Sequence, residues 1–477
     1  MKSTARHFKD NARDALADAG LQSALGKMET GFVVNRANAA ARLPEFEALR
    51  DQGRDIKNHT LQHLDFYLET LEANVLATGG KVHWAATPED AQQIILEICQ
   101  SVDAKTVTKG KSMIAEEIGL NDFLEENDIT PVETDLGEYI IQLRNEPPSH
   151  IIAPAIHVLK EQVAETFFEA HKDLDPERSL EEPQALLDEA RAVMRQKYLD
   201  ADVGITGANF LIAETGSSVI VTNEGNGDLT QTLPKIHIAV ASLEKVVPTL
   251  EDATALLRLL ARSATGQEFS SYTTFSTGPR RQEDPDGPEQ YHVVLLDNGR
   301  SELLGTEFQE VLRCIRCGAC MNHCPVYSSV GGHAYGWVYP GPIGSVLTPT
   351  LLGVDEARHL PNASTFCGRC EAVCPMRIPL PKLLRHYREK AFEEKLVPPV
   401  ERAGLGIWAF VAQRPALYRW ATGMTTRILT SLGRRRGRFS TLPFAAGWTR
   451  YRDLPAPQGK TFQQQWSAQS GRRDRNA

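Results

Sequence analysis

The chain has 477 residues, of which 42% are hydrophobic and 24% charged, an ordinary globular composition that at roughly 100–200 residues per domain suggests two to four domains. A formal net charge of −9 argues against a nucleic-acid binder. The opening Met1-Lys2-Ser3-Thr4-Ala5-Arg6 has no apolar stretch after it, and no segment reaches the roughly 18 apolar residues of a membrane span, so a cytoplasmic chain is expected.

The elements follow in order. Residues 1–58 are mixed and charged and are expected to form a loose helical extension. Leu61, Leu64, Leu68, Leu71 and Val75 recur at three- and four-residue steps and predict a helix that ends at Gly79-Gly80. Val82-His83-Trp84 reads as a strand. Thr87 caps the next helix, with Pro88 at its first position and Glu89 and Asp90 at its positive end. Its buried face is Ala91, Ile94, Ile95 and Ile98. Further strands are expected at 105–108, 131–134, 151–153, 217–222, 236–241 and 293–296, helices at 113–126 and 249–264, and a helical insert near 156–199. Asn223 to Asp228 reads as a turn followed directly by a strand. Alternating strands and helices imply an α/β domain with a largely parallel sheet. Glu302 to Arg313 is expected to be helical, and another helix opens at Pro381.

Seven of the eight cysteines lie between 314 and 374. Cys314, Cys317, Cys320 and Cys324 form C-x2-C-x2-C-x3-C before Pro325, and Cys367, Cys370 and Cys374 form C-x2-C-x3-C before Pro375. A shift of 50 residues superimposes Cys317-Gly318-x-Cys320-x3-Cys324-Pro325 on Cys367-Gly368-x-Cys370-x3-Cys374-Pro375. This is the run of a two-cluster ferredoxin, in which the cysteine before proline serves the other cluster. Cys314, Cys317, Cys320 and Cys374 are therefore expected to hold a first 4Fe–4S cluster, and Cys324, Cys367 and Cys370 a second. Ser364 stands where the repeat would place an eighth cysteine. The second cluster then has three cysteine ligands, as 3Fe–4S or as 4Fe–4S with a fourth ligand from Ser364, water, a substrate or a partner. Zinc sites also use C-x2-C, but usually as pairs rather than as a triplet with a Cys-Pro. Two clusters in one small fold suit electron relay better than bracing.

Other candidates are weaker. Cys99 is expected to be a buried inert thiol, His157 and His237 core histidines, and His323 a packing residue. Gly225-x-Gly227 lacks the helix that a nucleotide fingerprint needs. Glu214-Thr215-Gly216-Ser217-Ser218 reads first as turn chemistry, although in an α/β sheet such a loop can reach the ligand crevice. From Met376 to the end there are 20 Lys and Arg against 6 Asp and Glu, a local +14, which with the total of −9 leaves −23 on the rest. Such a tail can dock an acidic partner or touch an anionic membrane surface, or be solvated.

Lys57-Asn58-His59-Thr60 to Leu71, Glu133-Thr134-Asp135-Leu136-Gly137-Glu138, Pro147-Pro148-Ser149-His150-Ile151, Gly207-Ala208-Asn209-Phe210 to Asn226, and Ser270 to Thr274 resemble the lactate-utilisation (LUD) domain. Trp448 to Pro455 resembles the tail of the same family, and nearly the whole chain resembles the lactate utilisation protein B family. The resemblance implies four regions: a helical extension at 1–58, an α/β LUD domain at 59–300, a mainly helical ferredoxin-like domain at 301–396, and a basic region at 397–477. The LUD fold is expected to be isomerase and CoA-transferase-like. The family is credited with two 4Fe–4S clusters on seven cysteines and lacks the eighth. Its members are thought to carry electrons in the oxidation of L-lactate to pyruvate, beside two other lactate-utilisation subunits. The resemblance names neither an electron acceptor nor a catalytic residue. Two other readings stand beside it: the LUD domain as the substrate-binding catalytic unit with the clusters as its electron outlet, or a redox-responsive scaffold.

Overall fold

The computed structural model describes residues 2–442, 446–449 and 451–473. They divide into two units at Ala391/Phe392.

The first unit is built on a six-stranded sheet. Its strands are β1 (Lys81–Ala85), β2 (Thr106–Gly110), β3 (Thr130–Glu133), β4 (Val203–Gly207), β7 (Ile236–Ser242) and β10 (Gln290–Leu296), in the order β1-β10-β7-β4-β2-β3. Every pairing is parallel. All seven residues of β7 are buried, as a parallel strand covered on both faces requires. Side chains alternate between the faces. Ile236, Ile238 and Val240 pack with Val294 and Leu296 against Ala91, Ile95 and Ile98 of helix Pro88–Gln100. Ala239 and Ala241 pack with Val293 and Leu295 against Leu68, Leu71 and Val75 of helix Leu64–Ala77. Each such buried aliphatic side chain contributes roughly 1.5–3 kcal/mol before entropy is counted.

The chain runs from β2 outward to β3, then returns to β4 on the other side of β2. This reversal opens a crevice at the carboxyl ends of β2 and β4. A smaller sheet of order β8-β5-β6-β9 joins β5 (Phe210–Ile212), β6 (Ser217–Thr222), β8 (Val246–Val247) and β9 (Tyr272–Ser276).

Several expectations are corrected. Residues 151–153 form no strand: the Ile152 and Ala153 amides, which a ladder would use, donate to His150 Nδ1 at 3.0 and 3.1 Å. The helix expected over 113–126 is two, Met113–Glu117 and Leu120–Glu125, because Gly119 adopts φ +64°, a left-handed conformation that stops the first. A helix, Asn226–Thr232, does follow Gly225, although it is only seven residues long. Residues 302–313 carry two short 3-10 turns, Ser301–Leu303 and Gln309–Arg313, in place of a helix. The Leu61 to Val75 pattern belongs to two helices, Phe46–Gln62 and Leu64–Ala77, parted at His63. The N-terminal segment is not loose. Its helices lie on the cysteine-bearing part, with Thr4 N donating to Gly336 O at 2.7 Å and Gln22 Nε2 to Ser329 O at 2.8 Å.

Among the described residues between 301 and 391 there is no strand, only 3-10 turns and helices, of which Gly341–Leu352 and Leu380–Glu393 are the longest. Gly318 and Gly368 take φ +71° and +78° at the start of helices Ala319–Asn322 and Arg369–Ala372, so the sequence repeat is also a repeat of local structure. A Cβ on Gly318 would lie 3.0 Å from the Ile152 side chain.

The second unit contains helices Pro399–Ala412 and Pro415–Gly433 and a short antiparallel pair, β11 (Arg438–Phe439) and β12 (Leu454–Pro455). Trp408 and Trp420 are exposed there. Among the described residues no helix is long and apolar enough to cross a membrane. Arg450 of the family-like tail lies outside the described residues.

Candidate functional site: two cysteine cavities beside a sheet crevice

The cysteine loops pair crosswise. Cys314, Cys317, Cys320 and Cys374 line one cavity together with Ile315, Ile343, Met376 and Ile378. Cys324, Cys367 and Cys370 line a second with Ser364, Pro342 and Pro381. The residue before each proline thus turns away from its own loop to the neighbouring one. Within each group the thiols are close enough to disfavour one another's ionisation. Burial, then Cys374, pushes Cys317 up to about 12. Burial, then Cys314, Cys317 and Cys374, raises Cys320 well above the usual thiol range. In the second group burial, then Cys324, brings Cys370 up to about 12. Cys367 goes the other way: the Arg369 amide and the Thr365 hydroxyl bond to its sulfur and lower its pKa, and it is exposed.

Thiols gathered at this density need a cation cluster to hold them as thiolates, and an iron–sulfur group meets that need. Among the described residues no three His, Cys, Asp or Glu side chains are gathered so as to hold a single metal ion. Backbone amides add to the fit, with Arg316 N donating to Cys314 Sγ at 3.4 Å and Ile378 N to Cys374 Sγ at 3.5 Å. The first cavity also sits among cations. Arg36, Arg50 and Arg313 act on Cys374, and Lys57, Lys245 and Arg316 on Cys314. Arg50 is fixed by donating to Ala372 O and Cys374 O, both at 2.7 Å.

Ser364 Oγ accepts from the Phe366 amide at 3.1 Å, the bond of a turn residue. His323 Nδ1 contacts Ala319 O at 2.9 Å. Cys99 is fully buried, and burial pushes its thiol up to about 12. His237 is fully buried against Thr206 Oγ1 at 2.8 Å, and His157 pairs with Glu146 at 2.6 Å.

The largest difference from the sequence reading lies at the crevice. A cavity of about 490 Å³ opens there, within the roughly 300–1,000 Å³ of small-molecule sites. Lys111 and Ser112 line it after β2, Asn209 after β4, Lys245 after β7, and Asp135 and Glu224 from neighbouring loops. Arg316 and Tyr339 reach it from the cysteine-bearing part. The expected loop Glu214–Ser218 does not line it. Glu214 instead accepts from Leu250 N at 3.1 Å, and Ser217 Oγ bonds Thr277. Lys111 Nζ donates to Asp135 Oδ2 at 3.1 Å and Ile152 O at 2.9 Å. Burial, then Asp135, raises the pKa of Glu224. Burial, then Arg316, brings Lys245 down to about 8. Asp135, Asn209 and Glu224 fall in segments that resemble the LUD domain, but nothing in the sequence marks Lys111, Lys245, Arg316 or Tyr339 as site residues.

A buried ion network ties this wall to the first cysteine loop. Glu117 takes a bidentate bond from Arg300 at 2.9 and 2.6 Å and accepts from Tyr339 Oη at 2.6 Å. Arg300 and Arg316 share Glu244 at 3.3 and 3.4 Å, which together hold Glu244 down at about 2 despite its burial. Arg316 also stacks on Tyr339, 4.7 Å from the ring centre.

Comparison with known proteins matches residues 68–296 to the LUD domain, 310–378 to the 4Fe-4S dicluster domain and 388–471 to the C-terminal domain of lactate utilisation protein B. Lactate utilization protein B of Bacillus pumilus is 44% identical over 464 residues, 97% of each chain. Its counterpart in Bacillus cytotoxicus is 44% identical over 463 residues, again 97% of each. A crystal structure of a DUF162 family protein from Deinococcus radiodurans aligns with 49% of this chain and 98% of its own at 15% identity, with a TM-score of 0.26.

Proposed function

The chain belongs to the lactate utilization protein B family, and on that premise we propose that it is the iron–sulfur electron-transfer component of a multi-protein system oxidising L-lactate to pyruvate. The observation that carries this reading is the crosswise pairing of the cysteines in two adjacent cavities, the first buried beside the sheet crevice and the second reaching the surface at Cys367.

Cys314, Cys317, Cys320 and Cys374 would hold a first 4Fe–4S cluster, and Cys324, Cys367 and Cys370 a second with three cysteine ligands. Clusters held there supply one-electron transfer. The protein's own residues set the conditions for it. Arg36, Arg50, Arg313 and Arg316 place positive charge around the first cysteine set and favour the more negative, reduced form. The amides of Arg316 and Ile378 act in the same direction on sulfur. The apolar cover from Ile315, Ile343 and Ile378 excludes water. Cys367 and Cys370, on a loop with little cover, face the side from which another protein can approach.

The same reading places the chain in the cytoplasm, with two other lactate-utilisation subunits as partners and the basic region at 397–477 as a docking element. It extends to the fold: an isomerase and CoA-transferase-like α/β domain at 59–300 and a mainly helical ferredoxin-like domain at 301–396. The test is anaerobic electron paramagnetic resonance with iron and sulfide counts, with L-lactate and both partners present. Stoichiometric iron and sulfide whose signals never change with lactate would defeat the proposal.

The crevice cavity favours a second reading, in which the LUD domain itself receives the substrate and the cysteine-bound clusters drain it.

A further inference from the structure

We propose that the crevice cavity binds a small 2-hydroxy or 2-oxo monocarboxylate, its carboxylate held by Lys245 and Arg316 at the wall shared with the Cys314–Cys320 loop. The inference rests on the lactate-linked reading above and assigns that reading a site.

The two cations come from different parts of the fold and meet at one wall of the cavity. Lys245 is 6% exposed, and among the described residues its Nζ has no hydrogen bond and no salt bridge. Arg316 is 8% exposed, and its Nη1 is buried without a hydrogen-bond partner, while its Nη2 has only the long 3.4 Å contact to Glu244. Glu244 is shared with Arg300, so one carboxylate serves two guanidinium groups and leaves Lys245 unpaired. Cys314 lies within electrostatic reach of both Lys245 and Arg316. The cavity side is left open, and there a carboxylate completes both donors.

The positioning of Arg316 supports this. Its backbone is held at φ +58°, a left-handed conformation uncommon for arginine, and its guanidinium is clamped over Tyr339. The rest of the lining selects among acids. Lys111, the other lysine of the lining, is already engaged by Asp135 and Ile152 O and so offers a second carboxylate no free cation, and Ile140 and Leu260 offer apolar surface to a short carbon chain. A monocarboxylate therefore fits where a dicarboxylate does not, and its carboxylate lies against the loop that carries Cys314 and Cys317.

The test is calorimetric titration of the full-length chain, with its clusters reconstituted anaerobically, using L-lactate, pyruvate, malonate and inorganic phosphate. Saturable binding of L-lactate and pyruvate is expected, with malonate and phosphate weaker. Lys245→Gln and Arg316→Lys should each weaken the acids by roughly tenfold or more while iron and sulfide stay constant. If Arg316→Lys loses iron, Lys245→Gln decides, since Lys245 lies outside the cysteine loops. No saturable binding to the wild type, undiminished affinity in Lys245→Gln, or phosphate or malonate binding as tightly as lactate would overturn the proposal. Failure here is separable from failure of the relay. Clusters reduced by lactate and partners in a chain that binds no acid would remove the pocket alone. Acid binding with clusters that never change state would remove the relay alone.

Discussion

Cys317 and Cys374 lie buried in the first cysteine cavity, with Arg36, Arg50 and Arg313 within electrostatic reach, whereas Cys367 in the second is exposed and has Arg369 as its near cation. The two loops begin alike, each with a left-handed glycine and a short helix. Their cover differs. Ile151, Ile343 and Ile378 line the first, Arg50 bonds its Cys374 carbonyl and Arg316 ties it to Glu244, whereas the second is edged by Ser364, Thr365 and Phe366 with Pro342 and Pro381. A repeat of local chemistry therefore becomes two electrostatic environments, because burial and charge are properties of what packs on a loop rather than of the loop.

The comparison can be broken most strongly at a shared residue. Cys374→Ser removes a thiolate of the first set from a chain segment that also carries Cys370 of the second. About half or more of the iron should be lost, with the first signal gone, as iron analysis and electron paramagnetic resonance would show. If Cys324→Ser abolished the same signal instead, the crosswise grouping would fall. Next in size is the buried network. Glu117→Ala strips Arg300 of its bidentate partner and leaves it only a share of Glu244, with the Glu117 and Arg300 side chains about 1% exposed or less, and should cost roughly 3–5 kcal/mol in urea unfolding.

Acid tests the first environment too. Burial brings His150, which lies against Gly318 of the first loop, down to about 4 and His237 down to about 3. Both bind a proton more readily unfolded than folded, so their contribution is present above the unfolded value near 6.5 and is lost as pH falls toward 4. Each should destabilise by roughly 1.4 kcal/mol per pH unit in that window. A urea midpoint unchanged between pH 7 and pH 5 would contradict this.

Arg316→Met sharpens the contrast at smaller cost. Removing the cation disfavours the reduced state, so the first cluster's potential should fall by roughly 60 mV, one tenfold change in a one-electron equilibrium. The second cluster's should stay in place in the same redox titration. The smallest effect belongs to Ser364→Ala. Its hydroxyl serves the Phe366 amide, so roughly 1 kcal/mol of local stability should go while the iron count holds. Loss of iron would instead make Ser364 a ligand.

Much of this was legible along the chain. Thr87 caps its helix through Asp90 at 3.1 Å as the Thr-Pro-Glu-Asp string indicates, and the apolar runs at 217–222 and 236–241 sit in strands. These features depend on neighbours a few residues apart. The Ile151-Ile152-Ala153 run misled because β-branched residues read as a strand wherever they occur, while His150 Nδ1 supplies the local acceptor that turns the chain. The helix after Gly225 was missed because a string of Asn, Gly and Asp looks like a turn until Thr230 and Gln231 are buried against the sheet.

What the sequence by itself determined is the set of local devices: the alternating α/β pattern, the capped helix, and two cysteine loops whose spacing and glycines shape each loop from within. What only the tertiary structure decided is which distant groups meet. Lys245 at the end of one strand, Arg316 inside a cysteine loop and Asp135 at a helix cap share a cavity because the strand order reverses beside β2 and the cysteine-bearing part docks there. Residue identity fixes each group's charge, but its solvation and partners, and so the chemistry it can do, follow from packing.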